Sequence, residues 1–183
     1  MRFRQFLAAL AFVTLASAQQ VPRPAGKCAI NTVGGGQISS SQYPGKVVLL
    51  AFMFTTCPHC QHTSQILSGI QDQYGDRGVQ ILGAFFNDNA AQLIPEFVTK
   101  YKPDFPVGYV TREQADQYLQ HSVLKPTYVP ELVFIDRNGQ IRGQYDGTND
   151  FFKDQETSIR NMVESLLKEP ATAKSHSARK KQS

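Results

Sequence analysis

Two cysteines held three positions apart, in Cys57-Pro58-His59-Cys60, follow an unbroken apolar run, Val47-Val48-Leu49-Leu50-Ala51-Phe52-Met53-Phe54. A run of this length with no polar alternation predicts a strand buried on both faces. Beyond the cysteines, Ile66, Leu67, Ile70 and Tyr74 recur at helical spacing. The cysteines therefore sit where a strand ends and a helix begins. The free N–H groups and the positive dipole end of a helix favour an anion there, which eases the step from thiol to thiolate. A C-x-x-C pair beside a βαβ pattern reads as a redox dithiol. Its disulfide would close almost no loop and would add little stability, so chemistry explains it better than architecture.

The 183 residues are enough for one domain with a real core. Residues 1–18 read as a secretory signal peptide. Arg2 and Arg4 are basic, residues 7–15 are apolar, and Ala16-Ser17-Ala18 fits a small-x-small cleavage site. That apolar core is too short to span a bilayer, and no other stretch is long enough, so the mature chain is expected to have no stable membrane span. The expected location is export, to a periplasm or to the outside. The net charge of +4 comes from Arg2, Arg4 and the end of the chain from Lys168 onward, which leaves a mildly acidic body. A basic face for nucleic acid is thus not expected.

Residues 19–36, with their prolines and Gly34-Gly35-Gly36, read as a flexible lead-in that carries Cys28. The domain is expected over residues 37–167. Gln37-Ile38 suggests a short edge strand, and Tyr43-Pro44-Gly45-Lys46 a turn that launches the central strand. Residues 79–86 read as a second buried strand. Asn87-Asp88-Asn89 offers caps for a helix to about Tyr101. Residues 107–110 read as a short strand, and a short helix follows to about Leu119. Such β-α-β-α-β-α alternation implies parallel strands covered by helices. Residues 131–136 and 140–145 then flank Asn138-Gly139, a hairpin signal. A last helix runs over residues 151–167, with Ile159, Met162, Val163, Leu166 and Leu167 on one face. Residues 168–183 read as a disordered basic tail.

A strand, C-x-x-C, a helix, further βα units, then Val129-Pro130 before a hairpin and a final helix resembles the thioredoxin superfamily. The segment from Tyr43 to Leu50 leading into the dithiol is most similar to exported TlpA/ResA-like thiol–disulfide oxidoreductases. That resemblance implies a thioredoxin-like α/β fold: a central mixed β-sheet flanked by helices, with a βα insertion between Asn87 and Val110. The Pro-His pair, and Val before Pro, are the ones familiar from DsbA-type disulfide donors. Thr56 stands where many relatives have Trp, and Ala51 where thioredoxin has a buried acid.

Under this reading Cys57 attacks a partner disulfide and Cys60 resolves the mixed disulfide. Pro58 suits the first helical turn, and His59 tunes the pair by holding a proton or a thiolate. The resemblance makes Val129-Pro130 a cis bond that presents Val129's backbone to an extended client. Thr55 and Thr56 are placed on the rim. The redox group is the Cys57–Cys60 pair itself, with no separate cofactor and no resident metal. Partners are cysteine-containing client proteins and an unidentified redox partner. Cys28 reads as a buried inert thiol, with pairing to another chain or a regulatory contact with the dithiol as the alternatives, and His62, His121 and His176 read as surface residues. Two other readings stand beside this one. Cys57, His59, Cys60 and His62 offer soft and borderline ligands for copper or zinc delivery. A thiol peroxidase of the peroxiredoxin group would need Pro and Thr where this chain has Leu50 and Phe54.

Overall fold

A computed structural model describes residues 21–122, 124 and 126–171. The expected leader and most of the basic tail lie outside these residues. The element order is β1 (Arg23–Pro24), β2 (Ile30–Asn31), β3 (Gln37–Ile38), β4 (Val47–Met53), α1 (Pro58–Tyr74), β5 (Val79–Phe85), α2 (Ala90–Tyr101), β6 (Val107–Tyr109), α3 (Arg112–Leu119), β7 (Glu131–Ile135), β8 (Gln140–Tyr145) and α4 (Gln155–Lys168). Short 3-10 turns cover Ser40–Gln42 and Asp150–Asp154.

One sheet runs in the order β1-β8-β7-β4-β5-β6-β2-β3. β4, β5 and β6 are parallel, and β7 runs antiparallel to β4. The sheet is therefore mixed, as expected, and α2 with β6 forms the expected βα insertion. The apolar run makes β4 the centre. All seven of its residues are buried. Val47, Leu49, Ala51 and Met53 join the core beneath α1, α2 and α4. Val48, Leu50 and Phe52 join the core on the α3 side. Burial on both faces is why polar alternation is missing from its sequence. The hairpin between β7 and β8 turns at Asn138-Gly139, where Gly139 takes φ 75° at no steric cost.

Two details differ from the sequence reading. Residues 21–36 are no free lead-in: β1 pairs with β8, and β2 joins β6 to β3. Buried Ala25, Cys28 and Ile30 anchor this segment. Strands of two residues carry no periodicity, so only the sheet edges they meet could define them. The last helix starts later than expected, after the 3-10 turn, with Asp154 as its cap. No described helix is long and apolar enough to cross a membrane.

Candidate active site

β4 stops at Met53, and a tight turn, closed by the Cys57 N–H on the Phe54 carbonyl at 3.3 Å, leads into α1. Cys57 is the helix N-cap, with extended backbone (φ −81°, ψ 120°), and Pro58 occupies the first turn, where no N–H is needed. The cap is unusual in chemistry. The Cys57 sulfur takes the place of a capping oxygen and accepts the Cys60 N–H at 3.5 Å. Cys57 is half-buried, whereas Cys60, one turn on, is fully buried. Cys60's own sulfur accepts the Phe54 N–H at 3.5 Å. Burial pushes the Cys60 thiol well above its ordinary range, and its hydrogen bond to Cys57 adds to this. The two sulfurs are thus neighbours in different environments, one reachable from outside and one not.

Pro58, His59 and Thr56 are exposed around Cys57, and so is His62. Thr55 departs from the rim position expected of it. It is buried, and its N–H and hydroxyl both reach Asn87 Oδ1, at 2.8 and 3.3 Å. The Gln61 side chain takes the Thr55 carbonyl at 3.0 Å. The residue two before Cys57 is therefore clamped from both sides by side chains. Of the three residues expected to offer caps for α2, Asn89 holds the cap position, in the left-handed region (φ 58°) and without a side-chain bond, and Asn87 turns to Thr55 instead. Asn87 stands where β5 has just ended and continues the β4–β5 pairing with its side chain. Its partner is 32 positions away in the chain, so local spacing gave no sign of it.

The Val129–Pro130 bond is cis, and so is Val21–Pro22. Glu131 pairs with Phe52, so Pro130 leads into β7 at the same end of the sheet where β4 runs out towards the dithiol. Cys57 and Val129 pack against one core cluster. Among the described residues, neither the N–H nor the C=O of Val129 has a hydrogen-bond partner. Gly147 closes in on this bond: a Cβ there would lie 2.8 Å from the Val129 carbonyl oxygen, so only glycine fits. Sequence reading missed Gly147, because the need arises from a contact and not from a turn.

Cys28 is buried on the other side of the sheet, and burial alone pushes its thiol up to about 12. Among the described residues, no group of three or more His, Cys, Asp and Glu side chains is placed to hold a metal ion. His121 is not a surface residue: its side chain is only 14% exposed and faces Glu131 and Asp116.

Residues 19–144 match the AhpC/TSA family. The chain belongs to that family. It is similar to the thiol-disulfide oxidoreductase ResA of Geobacillus kaustophilus, with 26% identity over 137 residues that cover 75% of each chain. It is also 26% identical over 134 residues to DipZ of Mycobacterium tuberculosis, where it matches 73% of this chain but only 19% of DipZ. The structure resembles a thiol:disulfide interchange protein of the thioredoxin family from Chlorobium tepidum, with TM-score 0.67 and 23% identity, covering 82% of this chain and 99% of that one. A secreted Mycobacterium tuberculosis disulfide oxidoreductase gives TM-score 0.60 at 18% identity, over 75% and 95%. These likenesses bear out the thioredoxin-like fold.

Two outcomes follow from this geometry. Asn87→Ala strands the buried Thr55 N–H and should cost about 1–3 kcal/mol in denaturant unfolding. Asn87→Asp keeps the acceptor and should recover most of it; an alanine variant as stable as wild type would show the clamp to be idle. The second concerns pH. Cys28 and Cys60 hold their protons more tightly folded than unfolded, their ordinary value being 9.0. Their contribution to stability is complete below that value and is lost as pH rises above it. The unfolding free energy of the reduced protein should fall between pH 9 and 10, and Cys28→Ala should lessen that fall by about 1 kcal/mol. Superimposable pH profiles would contradict this.

Proposed function

We propose that the chain is an exported protein thiol–disulfide oxidoreductase that exchanges disulfides with client proteins through Cys57 and Cys60. The observation that carries this is the pairing of a half-buried Cys57, capping a helix with its sulfur, with a fully buried Cys60 one turn on. The ResA relative, matched over three quarters of both chains, is named for the same chemistry. Export rests on the leader read in residues 1–18, and the secreted mycobacterial structural relative is consistent with it.

The exchange runs in two displacements. The Cys57 thiolate attacks one sulfur of a client disulfide; the client S–S bond breaks, and the departing client thiolate takes up a proton. Cys60 then gives up its proton and attacks the Cys57 sulfur. The mixed disulfide breaks, the second client thiol leaves, and Cys57–Cys60 becomes the disulfide. Two electrons have passed from the dithiol to the client. An external dithiol must restore the pair for a further reduction. Run in reverse, the same steps oxidise a client dithiol, and the pair's reduction potential against its surroundings sets the direction.

Val129 and Pro130 fit the role of client platform, because the cis bond lies at the dithiol end of the sheet and the Val129 backbone has no partner among the described residues. Pro58 and His59, exposed in the first turn beside Cys57, are placed to tune the pair. Thr56 belongs to the exposed rim, and Thr55 supports it from beneath. Peroxide reduction is disfavoured by Leu50 and Phe54 at its two signature positions.

Redox titration of the purified protein in glutathione buffers, followed by mass spectrometry, tests this reading. One two-electron transition confined to Cys57 and Cys60 is expected, together with reduction of insulin by the reduced protein. Cys57→Ala should abolish turnover, and Cys60→Ala should accumulate a mixed disulfide at Cys57. Tightly bound stoichiometric metal with no exchange would overturn it.

A further inference from the structure

Glu131 breaks the pattern of its own strand. Val133 and Ile135, on the same face of β7, are apolar and lie in the α3-side core. Glu131 is only 1% exposed, yet carries a carboxylate. A well-packed apolar side chain would be no less stable there, so a buried acid at this position asks for another reason. The residue before it is Pro130.

One carboxylate oxygen is hydrogen-bonded, and the other faces an imidazole. Gln144 on β8 donates to Oε1 at 2.7 Å and, with the same nitrogen, to the Leu119 carbonyl at the end of α3 at 2.8 Å. His121 Nε2 lies 2.9 Å from Oε2, and His121 Nδ1 lies 3.5 Å from Asp116. Burial pushes the Glu131 carboxyl up from its ordinary value, and the facing imidazole works against that push. The backbone of Glu131 is fixed as well, in register with Phe52. Glu131 is thus the first residue of β7, anchored by both backbone and side chain. Two residues before it, the Val129 backbone has no partner among the described residues.

We infer that the His121–Glu131 pair positions Val129 and Pro130 for an extended, cysteine-bearing segment of a client protein. His121 and Glu131 are positioning residues: neither touches a reacting sulfur. They fix the platform on which the client backbone is laid, while the dithiol's own setting depends on the Cys57 cap and on Asn87. This rests on the exchange function proposed above and adds to it a separate client-binding determinant.

The test compares two disulfides under the same reductant: insulin, which needs the platform, and dithiobis(nitrobenzoate), which needs only the Cys57 sulfur. His121→Ala should raise KM for insulin about tenfold, the equivalent of about 1.4 kcal/mol, with kcat little changed. The rate with the small disulfide should stay at the wild-type value. Glu131→Gln keeps the shape and the bond from Gln144, so it remains testable if the alanine variant does not fold, and it should shift insulin KM in the same direction. The double variant should do no more harm than His121→Ala alone, because both changes break one interaction. Equal losses on both substrates, no loss on either, or simple addition of the two single effects would overturn the inference. Failure of the wild type itself to exchange with both substrates would instead remove the function on which it rests.

Discussion

The contact on which the site depends is the hydrogen bond from the Cys60 amide to the Cys57 sulfur. It makes a thiol the cap of α1 and ties the position of the outer sulfur to the first turn that carries the inner one. A capping side chain satisfies an otherwise orphaned amide and lies at the positive end of the helix dipole. For Ser or Asp that is a matter of helix stability. For Cys it places a thiol sulfur, half-buried, at the start of the helix.

The sheet makes this contact possible. β4 is buried on both faces, which fixes where it ends. The chain then turns within four residues, and the Asn87–Thr55–Gln61 clamp holds that turn from β5 and from α1. On the far side, β7 runs antiparallel to β4 and delivers the cis Val129–Pro130 bond to the same end. Gly147 gives that bond room on one side, and Glu131 ties it down on the other. Strand lengths, a close-approach glycine and three polar contacts therefore act on one small region.

What the sequence disclosed and what it withheld divide along a physical line. The dithiol, the central strand, the hairpin at Asn138-Gly139 and the helix faces all depend on neighbours a few positions apart, and these were legible. Val129-Pro130 was legible only through resemblance, since nothing in a single X-Pro pair reveals its isomer. Asn87 was read, with Asp88 and Asn89, as a possible cap because capping is what Asn does locally; the partner it meets lies in the turn after β4. His121 and Glu131 lie ten residues apart, yet they are brought together by the packing of α3 on β7 and not by any short-range spacing. The paired strands within residues 21–36 were missed for the same reason. Two residues have no period, and Ile30 and Cys28 gain their burial only from a core that other segments build.

The account stands or falls on Cys57 being the sulfur that reacts first. Time-resolved alkylation of the fully reduced protein by iodoacetamide at neutral pH, with each cysteine followed by peptide mass spectrometry, measures this directly. Cys57 should be modified well before Cys60 and Cys28, and faster than free cysteine under the same conditions. Modification of Cys60 or Cys28 first, or of Cys57 no faster than free cysteine, would contradict it.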